Sequence, residues 1–229
     1  MKTFAVILSA GSSTRFEGNT KKQFYLIDNK PILYYSLNAF NSSNLIDEIV
    51  LVTAKEDLEK VKLFVNENRF NKVKSIVIGG ASRQESVKNG LDAIKDEDGL
   101  VLIHDSARPL VDEEIISKLV NELKVFDGSA PAIKVVDTIV RANNNELSSF
   151  EDRECLYRIQ TPQAFKLNII RKAHVKFLGK NVTDDTQLVK LLGGKVSLIE
   201  GKESLRKVTK LEDTNAIEAY IKNHEYLQN

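Results

Sequence analysis

The sequence predicts an α/β fold: a doubly wound, mostly parallel sheet covered by helices on both faces, with a β-arm projecting from it. Three observations carry this prediction. Short β-branched runs alternate with longer amphipathic stretches through the first half of the chain. The short runs are apolar without interruption, as in parallel strands buried on both faces, where a half-solvated strand would alternate. After Val136 the rhythm breaks, and a segment that does alternate surrounds an asparagine-rich centre.

In order, Phe4–Leu8 (FAVIL), Glu48–Thr53 (EIVLVT), Val73–Gly80 (VKSIVIGG) and Leu100–Asp105 (LVLIHD) are the predicted strands. Between and after them, Pro31–Phe40, Glu56–Asn68, Ser82–Ile94 and Asp112–Phe126 are the predicted helices. Pro31 brings a preset φ to a first turn, while Ser82 and Asp112 bring capping oxygens. A strand at Ala130–Val136 follows. Asp137–Thr161 then predicts a hairpin, because apolar and polar residues alternate on either side of Asn143–Asn145. Helices at Leu167–Phe177 and Asp184–Leu192, a strand at Lys195–Gly201 and a helix at Glu212–His224 complete the pattern. There is no internal repeat and no low-complexity linker. Residues 1–229 are therefore expected to form one Rossmann-like domain with right-handed crossovers and an arm at about 137–160.

At 229 residues the chain can bury a sizeable core. Its 33 basic and 32 acidic residues nearly cancel, so an anion site must be local, and neither nucleic acid nor a membrane is an expected partner. The lone cysteine, Cys155, excludes an internal disulfide and a cysteine-rich zinc site. No signal peptide and no apolar run of about 20 residues is evident, and the expected location is the cytoplasm.

The polar clusters sit where strands end: SAGSSTR after the first, GGASRQES after the third, HDSARP after the fourth. Open α/β sheets bind ligands beyond the C-terminal strand ends. The first loop matches neither the Walker pattern, which needs glycine where Phe16 stands, nor the dinucleotide fingerprint, which Ser13 and Phe16 break. Its small residues at Ala10–Gly11, with Arg15 and Lys22 behind, fit an anion cradle. They also fit an ordinary βα turn with solvated basic side chains. Gly79–Gly80 would let a planar base approach the backbone, with Arg83 and Ser86 pointing from the helix's first turn; a plain glycine turn with a capping serine explains the same residues. Asp105 at a buried strand end is costly without a partner and could hold a divalent cation on a polyphosphate. Arg108 follows within reach of the same crevice. His104 is read as a hydrogen-bonded structural histidine, and Asp184–Asp185 as a helix cap.

Together ILSAGSSTRF, KKQF, GGASRQESV, HDSARP, RIQTPQAF, TDDTQLV and KVT resemble the sugar-phosphate nucleotidyltransferases. More narrowly, the chain resembles the 2-C-methyl-D-erythritol 4-phosphate cytidylyltransferases of non-mevalonate isoprenoid synthesis. The resemblance implies that Ala10, Gly11, Gly80 and Ser86 contact the cytosine and ribose of CTP, and that Arg15 and Lys22 hold the triphosphate. It places Asp105 near Mg²⁺ and the sugar phosphate, and Thr138, Arg153, Lys207 and Thr209 at the acceptor. It further implies a homodimer in which the arm carries Arg153 toward the neighbouring subunit's site. Three positions depart from the family's usual residues: Ser13 for glycine, Ala81 for aspartate and Leu205 for asparagine.

The implied reaction is in-line attack of an acceptor phosphate oxygen on the α-phosphorus of CTP, with pyrophosphate leaving. The nucleophile is already ionised, so positioning and charge neutralisation by Arg15, Lys22 and Lys207 would carry the catalysis. A pentitol-phosphate cytidylyltransferase, such as one acting on ribitol 5-phosphate, is the nearest alternative. A catalytically silent nucleotide-binding module is an alternative of another class.

Overall fold

The computed structural model describes residues 1–11, 16 and 20–224. Its central sheet contains β1 (Thr3–Ser9), β4 (Glu48–Thr53), β5 (Val73–Ile78), β6 (Leu100–Asp105), β7 (Gly128–Lys134), β10 (Tyr157–Ile159), β11 (Gln163–Lys166) and β12 (Val196–Glu200). Two small antiparallel ladders lie outside it: β2 (Leu26–Ile27) with β3 (Lys30–Pro31), and β8 (Val140–Asn143) with β9 (Glu146–Phe150). The helices are α1 (Ile32–Ser42), α2 (Leu58–Glu67), α3 (Arg83–Asp92), α4 (Glu113–Glu122), α5 (Leu167–Lys176), α6 (Asp185–Leu191) and α7 (Asp213–His224).

β1 lies between β6 and β4, parallel to both, and β5 continues the parallel set. The chain therefore winds one way through β4 and β5 and returns to the other side of β1 with β6, which puts the switch point beside β1. The continuous apolar runs have the expected cause. Ala5 and Ile7 of β1 pack into one core with Leu33, Leu37, Leu51 and Ile115. Phe4 and Val6 pack into the opposite core with Val52, Val87, Ile103 and Phe165. Both faces are buried, so nothing in the strand needs to be polar. A third cluster joins Ile32 and Tyr35 of α1 to Val208 and to Ile217 and Ile221 of α7.

The expected caps are present: Ser82 Oγ accepts from Glu85 N at 3.1 Å and Asp112 Oδ1 from Ile115 N at 3.0 Å. Two features differ from the sequence-based expectation. The hairpin closes as β8–β9 through a two-residue turn, Asn144–Asn145, whose φ values of 48° and 66° suit asparagine. Tyr157–Ile159 does not belong to it, but runs antiparallel to β7 in the main sheet. β11, which the periodicity did not mark as a strand, inserts antiparallel between β6 and β7. Four residues are too few to show a period. No helix among the described residues is long and apolar enough to cross a membrane.

Candidate functional site

A cavity of about 480 Å³ opens beyond the C-terminal ends of β1 and β6. Five stretches of chain wall it: Leu8–Gly11, Lys22–Gln23, Gly80–Arg83 with Ser86, Asp105–Ala107, and Lys207. Of the residues expected at the site, Ala10, Gly11, Lys22, Gly80, Ser86, Asp105 and Lys207 line it. Arg15 and Ser13 lie outside the described residues.

The two neighbouring lysines have different tasks. Lys21 Nζ is held by Asp57 and Glu56, each at 2.7 Å, which directs it to α2. Lys22 begins a single 3-10 turn and lines the cavity. Buried Gln23 fastens that turn to the end of β1 by donating to Ser9 O at 3.3 Å.

The double glycine serves close packing. A Cβ on Gly79 would come within 2.5 Å of the Ala10 Cβ, and one on Gly80 within 2.3 Å of the Glu85 Cβ. Side chains there would separate the two loops or push away the start of α3. Ser86 Oγ accepts from Gly80 N at 3.1 Å and donates to Ser82 O at 2.9 Å, which holds the wall in place. A Cβ on Gly11 would meet nothing within 4 Å, so packing among the described residues does not demand glycine there.

Asp105 is the electrostatic centre. Its Oδ2 accepts from Lys207 Nζ at 2.6 Å and its Oδ1 from Arg83 Nε at 3.3 Å. Burial alone would raise its pKa, but the Arg83 and Lys207 cations outweigh burial and hold the carboxyl well below the usual range. Burial would likewise weaken the Arg83 guanidinium; Asp185 and Asp105 outweigh that and keep it firmly charged. Sequence reasoning placed Arg83 on the right turn but gave it no role, because its partner Asp185 is 102 residues away.

His104 is structural, as expected. Its Nε2 lies 3.0 Å from Arg108 O, which can only accept, so Nε2 carries the proton and Nδ1 accepts from Thr161 Oγ1 at 3.1 Å. Burial pushes the imidazole down to about 3, which keeps it neutral. Thr161 Oγ1 also accepts from Asp105 N at 3.1 Å, so one hydroxyl holds both the Asp105 backbone and the histidine.

Four expected residues stand away from the cavity lining. Arg108 donates to Leu205 O at 2.6 Å, and Val208 N donates to Ala107 O at 2.8 Å. Arg108 thus fastens the segment carrying Lys207 to the end of β6. Leu205 is fully buried in the core, so its departure from asparagine replaces a polar side chain with packing while its carbonyl still serves Arg108. Thr209 donates to Lys207 O at 3.4 Å. Thr138 is exposed at the root of the hairpin, and exposed Arg153 donates to Val136 O at 2.8 Å.

The Gln160–Gln163 segment, named in the sequence only as a motif, braces the site. Gln160 exchanges hydrogen bonds with the backbone of Lys202, at 2.9 and 3.2 Å, and Gln163 donates to Asp184. Asp184 caps α6 by accepting from Thr186 N at 2.9 Å. Asp185 was expected to share that role and does not; it is buried against Arg83 and His174.

Among the described residues no group of three or more His, Cys, Asp or Glu side chains could cage a metal ion. Asp105 offers one carboxylate at the cavity, with two lone-pair sites left after its two cations. That donor set fits a magnesium ion held chiefly by polyphosphate oxygens.

The family model described as IspD, 2-C-methyl-D-erythritol 4-phosphate cytidylyltransferase, matches residues 3–223. The enzyme of that name from Clostridium acetobutylicum is 40% identical over 224 residues, spanning 96% of this chain and 97% of its own. Its counterpart from Clostridium perfringens strain SM101 is 42% identical over 226 residues, with 96% and 99% covered. The crystal structure of 4-diphosphocytidyl-2C-methyl-D-erythritol synthase from Anaerococcus prevotii superimposes with a TM-score of 0.83 at 30% identity, covering 96% of this chain and 98% of that one. With the family model matched over nearly its whole length and relatives alike from end to end, this chain belongs to the 2-C-methyl-D-erythritol 4-phosphate cytidylyltransferase family.

Proposed function

We propose that this protein transfers the cytidylyl group of CTP to 2-C-methyl-D-erythritol 4-phosphate, forming 4-diphosphocytidyl-2-C-methyl-D-erythritol and pyrophosphate. The observation that carries this is the convergence of Lys22, Arg83, Asp105 and Lys207, from four separated segments, on one cavity at the switch point. The acceptor's phosphate oxygen forms a bond to the α-phosphorus as the bond to the β-phosphate oxygen breaks. No proton needs to move. Lys22, with Arg15 from the opening loop, neutralises the triphosphate. Lys207, positioned by Arg108 and Val208, faces the acceptor phosphate. The Ala10–Gly11 backbone and the Gly80–Ser86 wall form the face for the nucleoside. Asp105 would hold a bound Mg²⁺, which would supply further neutralisation of the triphosphate charge.

Thr138 and Arg153 lie on or beside the hairpin, away from their own chain's cavity lining, which fits a homodimer in which the arm completes a neighbour's acceptor site. Exposed Leu147 and Phe150, at 52% and 67%, give the hairpin apolar surface to bury in such a contact.

The test is pyrophosphate release from CTP with methylerythritol 4-phosphate, with ribitol 5-phosphate in parallel. Release with the first acceptor, abolished by chelating divalent cations, is the expected result. Release with ribitol 5-phosphate alone would reassign the acceptor, and release with neither would overturn the proposal.

A further inference from the structure

Asp185 does not line the cavity, yet it ends a chain of charges that enters it. Its side chain is 2% exposed. Oδ2 accepts from Arg83 Nη1 at 2.7 Å, and Oδ1 faces His174 Nε2 at 3.0 Å. The other side of the same guanidinium reaches Asp105 Oδ1 at the longer distance of 3.3 Å. Asp105 then holds Lys207 through its second oxygen at 2.6 Å. Arg83 is therefore anchored at its buried end and leans on Asp105 at its cavity end.

A buried ion pair is weak evidence of a contribution to stability. Among the described residues His174 Nδ1 is buried with no hydrogen-bond partner, so the arrangement is not explained by hydrogen-bond satisfaction. Geometry is the benefit that remains. A guanidinium offered one carboxylate closes on it with parallel bonds. Without Asp185, Arg83 would close on Asp105 with two parallel bonds from one edge and draw it away from Lys207.

We propose that Asp185, held by His174, is a positioning residue that fixes Arg83 and thereby sets the orientation of Asp105 opposite Lys207. The kinetic consequence rests on the function proposed above; the structural one does not.

The test combines Asp185→Asn, Arg83→Gln and the double variant. In the crystal structure of Asp185→Asn, Arg83 should close on Asp105, which should rotate and lose its contact with Lys207. In that of Arg83→Gln, with the donor to Oδ1 gone, the Asp105 carboxylate should rotate about its remaining bond to Lys207. In kinetics, Asp185→Asn should lower kcat on the order of tenfold to a hundredfold, with the KM for CTP held within about threefold. The double variant should lose no more than the worse single one, because both act through Asp105. An Asp105 carboxylate that keeps its orientation in the variants, or losses that multiply in the double variant, would overturn the proposal. If Asp185→Asn fails to fold, the Arg83→Gln crystal structure decides alone. A wild-type chain that releases no pyrophosphate would remove the proposed reaction and leave the crystallographic comparison as the deciding result.

Discussion

At the residue scale, the cations near the site are directed to different places, and Lys207 pairs with Asp105 in the cavity that both line. Lys21 is spent on Asp57 and Glu56, whereas Lys22 and Lys207 line the cavity. Lys22→Ala and Lys207→Ala should each lower kcat/KM by roughly a hundredfold or more, the worth of about 3 kcal/mol of lost charge stabilisation. Lys21→Ala should cost only a few-fold, and steady-state kinetics on the three variants checks the contrast. Tyr35 gives a separate test of burial. Its hydroxyl donates to Ile27 O at 2.6 Å, and burial pushes its pKa up to about 12. Because the folded pKa lies above the unfolded one, its contribution to stability is complete below pH 10 and is lost as pH rises toward 12. Urea unfolding between those limits should show a loss of about 1.4 kcal/mol per pH unit that Tyr35→Phe removes. An equal slope in the variant would assign the loss to other groups.

At the element scale, α3 is the helix that brings Ser82, Arg83 and Ser86 to the cavity, and its seat depends on Gly90. Propensity alone says that alanine would improve this helix by roughly 1 kcal/mol. A Cβ there, however, would come within 2.5 Å of Val6 Cγ1 and 3.0 Å of Val52 Cγ2. Both are side chains of the buried sheet with nowhere to move. Gly90→Ala should therefore destabilise by about 1–3 kcal/mol, measured by denaturant unfolding, and lower activity because α3 lifts from the sheet. A stabilised variant would mean that the valines yield. The same scale explains why the Gln160–Gln163 segment matters. Its side chains tie the turn before Lys207, the end of β6 and the start of α6 to one another, so three distant elements hold a common geometry.

At the scale of the whole molecule, the two hairpin strands pair with each other and carry the exposed apolar side chains Val140, Leu147 and Phe150. Glu151 N donates to Ile139 O at 2.9 Å, so the chain can be closed at that point by a two-residue turn replacing residues 140–150. On the proposed homodimer the full chain should sediment as a dimer and the shortened chain as a monomer, with reduced cytidylyl transfer and CTP binding retained. A dimer that survives the excision would place the interface elsewhere.

What the sequence determined by itself is local in origin. Uninterrupted apolar runs identify strands buried on both faces, Ser82 and Asp112 mark helix starts, and Asn143–Asn145 mark a tight turn. Because glycines and basic residues cluster at strand ends, the sheet rule places them at one crevice before any coordinate is known. Only the tertiary structure decided how those residues divide their tasks. It separated Lys22 from Lys21, turned Arg108 to the support of Lys207, and paired Asp185 with Arg83 across 102 residues. It also threaded β11 backwards between β6 and β7, which puts Thr161 against Asp105. The physical reason is range. Periodicity and capping are set by neighbours within a turn or a strand, whereas an ion pair or a strand register depends on which distant segments the sheet order brings together.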